Sequence, residues 1–329
     1  MLTARPHGVV PLQVFRCPAC ERPVYFHNTR CSCGQQVAFD PETQTMGVAE
    51  DTCVNRDKIG CNWVAESSFC RSCAMTRTVP DLGAPENLGY WRATEYAKRW
   101  MLANLGRWGW FGRADKGDRP VFLLLSEQTS AGEANVTMGH ANGTITINVT
   151  ESDEAVRAER RVELGELYRT MLGHMRHEMA HFLQLRLARD EEFTTAFREL
   201  FGDEREDYGA ALKRHYQNPQ PPDGNFISSY ATSHPHEDWA ETVAHLLHLV
   251  DVLDSAMAVA LTLPGVETDG YDAYAQTDTE AVLNRAVQIS IAVNHVNRAV
   301  DLPDLYPFVL TKGVREKLAL AHRSLRQPA

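Results

Sequence analysis

All eight cysteines of this chain fall between positions 17 and 73, and none follows in a sequence of 329 residues. Cysteines spread through one core would not stop at a boundary, so the first quarter is expected to be a unit of its own. They run Cys17-Pro-Ala-Cys20, Cys31-Ser-Cys33, Cys53, Cys61 and Cys70-Arg-Ser-Cys73. A two-residue spacer lets both sulfurs turn toward one ion, and Zn²⁺ takes four thiolates tetrahedrally. Eight ligands make two structural sites. The simplest partition puts Cys17, Cys20, Cys31 and Cys33 in one, with Cys53, Cys61, Cys70 and Cys73 in the other; an interleaved partition fits the same spacings. So short a unit holds little apolar material, and its metals would supply much of its folding free energy.

Disulfides are the competing use of paired cysteines and depend on an oxidising compartment. The opening residues, MLTARPHGVV, show no basic start leading into an apolar run, so no secretory signal is expected and a cytoplasmic location is the default. The most apolar long stretch, Val243 to Leu263, is interrupted by His245, His248, Asp251 and Asp254, which a lipid-facing helix would not tolerate. Lys and Arg number 33 against 43 Asp and Glu, a formal charge of −10. A broad phosphate-binding surface, and with it a nucleic-acid partner, is therefore not expected.

The Pro- and Gly-bearing segment 78–90 is expected to link a zinc-ribbon unit, 1–80, to a second unit, 81–329. In the second unit Val121–Leu125 reads as a buried strand, and Gly143–Asn148 alternates as a half-buried strand should. Helices are expected from Glu86 to Leu105, from a Ser152/Asp153 cap to Val162, from Gly165 to Ala188, over Glu191–Phe201 and over Asp203–Tyr216. Further helices follow from Pro235 toward Leu261, over Asp278–Ala299 and over Lys312–Arg326. This is an α+β pattern dominated by helix.

Within the helix expected at 165–188 lies His177-Glu178-Met179-Ala180-His181. At 3.6 residues per turn the two histidines share a face one turn apart, so both imidazoles can take one Zn²⁺. Glu178 beside them can accept a proton from an attacking water and pass it to a leaving nitrogen. The five-residue pattern alone is only suggestive, since about 4% of shuffled chains of this composition would carry it. Its flanks Leu172, Met175, Met179, Phe182 and Leu183 are apolar, however, and charged groups in a buried helix need partners.

A third ligand can come from the next long helix, where Glu237, Glu241, His245 and His248 form one stripe. Glu237 is assigned as that ligand and Glu241 as the partner of the His177 imidazole N–H, with His245 beyond it; the reverse assignment of the two acids remains open. Glu237 also lies in a first helical turn, where an acid favours the helix dipole without any metal. Tyr230 is a candidate donor to a developing oxyanion, with His234, His236 and His245 as lesser candidates, although a core or loop tyrosine is the plainer reading. Thr144–Asn148 is the candidate edge strand for an extended peptide, entered through a tight Asn142-Gly143 turn.

The chain resembles the bacterial putative zinc-binding metallopeptidases that carry an N-terminal zinc-ribbon domain. The resemblance rests on Cys17-Pro-Ala-Cys20, Ile59-Gly-Cys-Asn-Trp63, Phe69-Cys-Arg-Ser-Cys73, Gly139-His-Ala-Asn-Gly143, Tyr168–Glu178, Phe201-Gly-Asp-Glu-Arg205, Ser233–Glu241 and Leu305–Leu310. It implies a gluzincin-like, thermolysin-related architecture, with His177, Glu178, His181, Glu237 and Glu241 in the family's functional positions. Two departures are visible: Cys31-Ser-Cys33 has one spacer residue instead of two, and the segment between His181 and Glu237 is long enough to hold an insertion at 190–216. The expectation is a hydrolase of peptides or proteins with one catalytic and two structural zinc ions. Its competitor is a non-catalytic, zinc-organised binding or regulatory protein whose ribbon docks a protein or nucleic-acid partner.

Overall fold

In the computed structural model, which describes residues 14–153, 156, 170–266, 270–306 and 309–326, the cysteine-rich segment folds as two small hairpins and two single-turn helices. Strand β1 (Val14–Arg16) pairs antiparallel with β2 (Pro23–Tyr25), and β3 (Val37–Asp40) with β4 (Thr45–Val48). Helices α1 (Arg56–Ile59) and α2 (Arg71–Ala74) follow, and β5 (Thr76–Thr78) leaves the segment.

Strand β5 runs parallel to β6 (Val121–Leu125) at the edge of a four-stranded sheet, so the first residue of the expected linker, Thr78, is already paired. The sheet order is β5-β6-β10-β9, with β10 (Thr144–Asn148) parallel to β6 and β9 (Gly139–Ala141) antiparallel to β10. Phe122, Leu124, Ile145 and Ile147 are fully buried on one face, in register as neighbouring pairs. The expected edge strand is thereby corrected: β10 is interior, paired on both sides, and β9 is the edge. The Asn142-Gly143 turn between them has positive φ at both residues (46° and 80°), as a two-residue hairpin requires. A minor hairpin, β7 (Gln128–Thr129) with β8 (Gly132–Glu133), lies outside this sheet.

Around the sheet stand α3 (Asn87–Gly106), α4 (Met171–Leu187), α5 (Glu191–Phe201), α6 (Tyr208–Gln217), α7 (Pro235–Ala258), α8 (Thr279–Ala299) and α9 (Lys312–Leu325). Mixed helix and sheet is as expected. Most of the helix expected from Ser152/Asp153 to Val162 lies outside the described residues, as do positions 165–169 of the next one. Helix α4 starts where the Thr170 hydroxyl accepts from the Gly173 N–H. Helix α6 begins later than expected, because Asp207 caps it through the Ala210 N–H while Asp203 is held by Arg205. Helix α7 has Pro235 in its first turn and His234 as cap, accepting from the His236 N–H.

Helix α4 lies between the sheet and α7 and is buried along its length through Met175, Met179, Ala180 and Leu183. The Trp239 indole N–H donates to the Ala180 carbonyl at 3.0 Å, clasping α7 to α4. Phe193, Phe197 and Phe201, one turn apart on α5, pack around the same Trp239 ring at centroid distances of 5.2, 6.0 and 5.6 Å. That aromatic stripe seats the 190–216 insertion beside the α4–α7 pair. The cysteine module and the helical body share one buried core. Phe26 and His27 pack on Trp100 of α3 at 5.0 and 5.2 Å, and Trp100 Nε1 donates to Asp251 Oδ2 at 2.7 Å. Asp251, on α7, is also bonded by Arg176 of α4, the residue before His177. No helix among the described residues is long and apolar enough to cross a membrane.

Candidate metal centre

The cysteines gather in two fours, Cys17/Cys20/Cys31/Cys33 and Cys53/Cys61/Cys70/Cys73, and the interleaved partition is not what the chain adopts. Sulfurs stand 3.8 Å apart (Cys17–Cys33), 3.6 Å (Cys20–Cys31), 3.5 Å (Cys61–Cys70) and 3.9 Å (Cys61–Cys73). A disulfide would need about 2.05 Å, whereas four sulfurs tetrahedral about an ion at Zn–S of about 2.3 Å lie about 3.8 Å apart. The donor sets fit zinc. The one-residue spacer of Cys31-Ser-Cys33 is accommodated because Cys31 faces Cys20 while Cys33 reaches across to Cys17.

A third donor cluster joins α4 to α7. His177, His181 and Glu237 place one ligand atom each within 4.8 Å of one another. His177 Nε2 is 2.9 Å from Glu237 Oε2, and His181 Nε2 is 3.5 Å from Glu237 Oε1. Donors at about 2.0–2.1 Å from a tetrahedral ion would be about 3.3 Å apart, so this set also fits. The other imidazole nitrogen of His177, Nδ1, meets Glu241 Oε1 at 2.8 Å, and the Ser228 hydroxyl donates to Glu241 Oε2 at 2.7 Å. Glu237, not Glu241, faces both histidines.

The imidazoles and carboxylates of this cluster stabilise one another's charged forms. Burial pulls the His177 pKa down, but the two flanking carboxylates outweigh it and hold the imidazole well above its ordinary value. Burial works to raise Glu237, and His181 and His177 overcome it, so its carboxyl lies well below the usual range. Glu241 follows the same logic, burial against His177, and falls to about 2. A divalent cation would draw on the same partners. Beside this cluster, Glu178 Oε2 is buried and has no hydrogen-bond partner among the described residues.

These groups line a cleft of about 760 Å³. One wall is the edge strand β9 with Thr137 and Met138 before it; the other is built by α5 and α6. Tyr230 lines the cleft with its ring 5.9 Å from that of His177, and burial followed by the Glu237 charge pushes its phenol pKa far up. Of the lesser candidates, His236 lines the cleft, bonded through Nδ1 to Gln184 at 2.8 Å, with its pKa lowered to about 4 by burial and by His234 and His181. His234 is spent on capping α7, and its Nε2 meets the Glu206 carbonyl at 3.3 Å. His245, one turn beyond Glu241, bonds through Nδ1 to the Tyr306 hydroxyl and lies within electrostatic reach of Glu241.

Two cleft residues were not singled out in the sequence. Tyr208, on the insertion, donates its hydroxyl to Glu237 Oε1 at 2.7 Å. His140, on β9, stacks parallel to His181 at 6.4 Å and accepts from the Gly143 N–H through Nε2 at 3.1 Å. Burial, then His181 and His236, lower its pKa to about 4. No motif marks Tyr208; His140 sits in the Gly139-His-Ala-Asn-Gly143 stretch, which entered the sequence reading only as part of the family resemblance.

A family profile described as putative zinc-binding metallo-peptidase matches residues 87–324, and one described as zinc-ribbon domain matches 14–52. The first cysteine cluster falls within the ribbon match, while the second lies in the stretch between the two. Uncharacterized proteins of Mycobacterium bovis and Mycobacterium tuberculosis are 39% identical over 325 aligned positions, covering 94% of this chain and 94% of each relative. No solved structure matches the chain. With three donor clusters suited to zinc and a profile that spans the whole helical body, the chain belongs to the putative zinc-binding metallo-peptidase family and carries a zinc ribbon at its N-terminal end.

Proposed function

We propose that this protein hydrolyses peptide bonds with a zinc ion held by His177, His181 and Glu237, two further zinc ions being structural in the cysteine clusters. The observation that carries the reading is the pairing of that three-donor set with the unpartnered Glu178 carboxylate oxygen in an accessible cleft. A zinc ion so held supplies Lewis acidity, lowering the pKa of water from about 16 to about 7 and polarising a carbonyl. Every other task falls to side chains. Glu178 accepts a proton from the attacking water as the C–O bond forms, then delivers it to the amide nitrogen as the C–N bond breaks. Glu241, itself held by Ser228, fixes the tautomer and orientation of His177 through Nδ1.

Tyr230 is the candidate phenol to donate to the developing oxyanion; its hydroxyl bonds the Tyr208 hydroxyl, which in turn donates to Glu237. Strand β9, paired on one side, offers its outer edge to an extended chain as an added strand. The helix-borne HExxH with a glutamate from a second helix supports a gluzincin-like, thermolysin-related arrangement. Thiols gathered in fours suit a reducing, cytoplasmic setting, and the substrates would be peptides or proteins. Glu178→Gln should reduce peptide hydrolysis by about 10²–10⁴-fold while leaving three zinc ions per chain. Hydrolysis by that variant at the wild-type rate would overturn the mechanism.

A further inference from the structure

Ser228 and Tyr230 reach the metal centre from a strap, residues 218–234, in which the single turn Tyr230–Thr232 is the regular piece. The strap opens on Asn218-Pro-Gln-Pro-Pro-Asp-Gly224, a stretch that forms neither helix nor strand. What holds its next residues is the C-terminal helix α9. The Thr311 hydroxyl, at the cap of α9, donates to the Gly224 carbonyl, and Lys317 Nζ donates to the Asn225 carbonyl at 2.8 Å. The same ammonium stands 4.4 Å from the centre of the Phe226 ring. Between these contacts the two backbones close up at Gly313. A Cβ there would lie 2.5 Å from Asn225 Oδ1, 3.1 Å from the Gly224 carbonyl oxygen and 3.2 Å from Asn225 Cα.

Lys317 has a second grip. Its ammonium also bonds Asp238 in the first turn of α7, and both side chains are buried, 5% and 0% exposed. Separating so enclosed a pair is costly, so the distance between strap and helix is firmly set there. Three residues further along each segment, the Ser228 hydroxyl donates to Glu241 Oε2, and Glu241 Oε1 holds His177 Nδ1. Both bridges join the same two segments. Two residues separate the clamped turn from that hydroxyl, Phe226 under the ammonium and Ile227 against the core. A displacement of Asn225 is therefore passed on to the Ser228–Glu241 bond.

Resting on the metal centre of the hydrolase reading, we infer that Gly313 and Lys317 are positioning residues for it: α9 clamps the strap to α7 at the separation the Ser228–Glu241 bond requires. The C-terminal helix thereby sets how well His177 is held for a metal ion. Loss of a group that orients a metal-binding histidine typically lowers metal affinity about 10–100-fold, and that is the scale expected for loosening the clamp. Position 313 is the sharpest probe. A methyl group there must move the strap by a few tenths of an ångström, while every polar contact keeps its atoms.

The probe is zinc itself, competed from the full chain by graded amounts of a chelator, with the third site identified as the one that His177→Ala empties. Gly313→Ala, Lys317→Met and Ser228→Ala should each weaken zinc at that site by about tenfold or more, with the two thiolate sites unaltered. Combining Gly313→Ala with Ser228→Ala should lose no more affinity than the larger single change, because the clamp acts through that one bond. A role in stability alone would not produce this. Lys317→Met can unfold the chain. Gly313→Ala adds a better helix former and leaves the polar groups in place, and cooperative thermal unfolding shows that it is folded. Wild-type zinc affinity in folded Gly313→Ala, or additive losses in the double variant, overturns the inference. A wild-type chain that takes up two zinc ions instead of three overturns the metal centre and the clamp together. Three zinc ions without peptide cleavage would remove the hydrolase reading, and the zinc affinities would still decide the clamp.

Discussion

The first cysteine cluster meets water through Cys33, which is exposed, and Cys20, which is partly so, whereas all four sulfurs of the second are shut in against α3. The donors are identical; the surroundings are opposite. Lys98 and Arg99, both essentially inaccessible, act electrostatically on Cys73 and Cys61 of the second cluster. Lys98 Nζ also bonds Glu95 Oε1 at 2.8 Å, and the Thr76 hydroxyl donates to the same oxygen at 2.7 Å. Four thiolates around a divalent ion leave negative charge in excess, and two buried cations on the neighbouring helix compensate it. The same donor set thus serves a local fold at the periphery and a joint between modules in the interior.

The largest expected effect separates the two clusters directly. Cys70→Ser should abolish soluble, cooperatively folding protein, because a structural zinc contributes on the order of 10 kcal/mol and Lys98 and Arg99 would be left with Glu95 as their one shared acid partner. Cys33→Ser should lose one zinc with a smaller loss of Tm than Cys70→Ser, because Cys33 is exposed and replaces its metal contact with water. Zinc content and thermal unfolding of both variants read this out; equal losses would break the comparison.

Next in size is Lys98→Met, which removes a buried cation and leaves Glu95 with the more distant Arg99 and the Thr76 hydroxyl. A loss of about 3–5 kcal/mol is expected, together with faster release of zinc to a chelator from one thiolate site and an unchanged rate from the other. Unaltered release from both sites would show that α3 does not hold the second cluster.

A smaller, pH-dependent effect comes from His27. Both of its ring nitrogens are buried without a partner among the described residues, and burial, aided by Arg99, lowers its pKa to about 2. The folded chain keeps this imidazole neutral while the unfolded chain takes up a proton below about pH 6.5. Stability therefore falls as pH drops through 6.5, by up to about 1.4 kcal/mol per unit. His27→Phe should shrink the fall in Tm between pH 7 and pH 5; an unchanged slope would assign the acid sensitivity elsewhere. Smallest is Arg22→Ala. It removes an exposed 3.1 Å bond to the Ser32 hydroxyl beside the first cluster, and should shift stability by no more than about 0.5 kcal/mol.

What could be read from the sequence was whatever local periodicity controls. His177, Glu178 and His181 on one helix, and Glu237 and Glu241 on another, are one turn apart, so their shared faces follow from helical geometry. Which acid faces the imidazoles depends on how α7 crosses α4, and Trp239 on Ala180 sets that crossing. The edge strand escaped because Gly139–Ala141 is three residues long and begins with glycine, too short and too permissive for an alternation signal, whereas Thr144–Asn148 carries a pattern that an interior strand shares. Tyr208 escaped for a different reason. Its role exists only once Phe193, Phe197 and Phe201 have seated the insertion on Trp239, a long-range event with no local mark. The boundary near residue 80 was placed by Pro and Gly content, which is blind to the pairing of Thr76 and Thr78 with β6.

Trp100 has a consequence for how this protein can be taken apart. Its ring receives Phe26 and His27 from the cysteine module, and its indole nitrogen reaches Asp251, which Arg176 also grips one position before His177. Excising residues 14–78 would bare that ring, strip β5 from the sheet and leave the Glu95–Lys98–Arg99 group facing solvent. The helical body is therefore not a freestanding unit with an accessory attached in front; it is a scaffold whose keystone is delivered by residues 14–78.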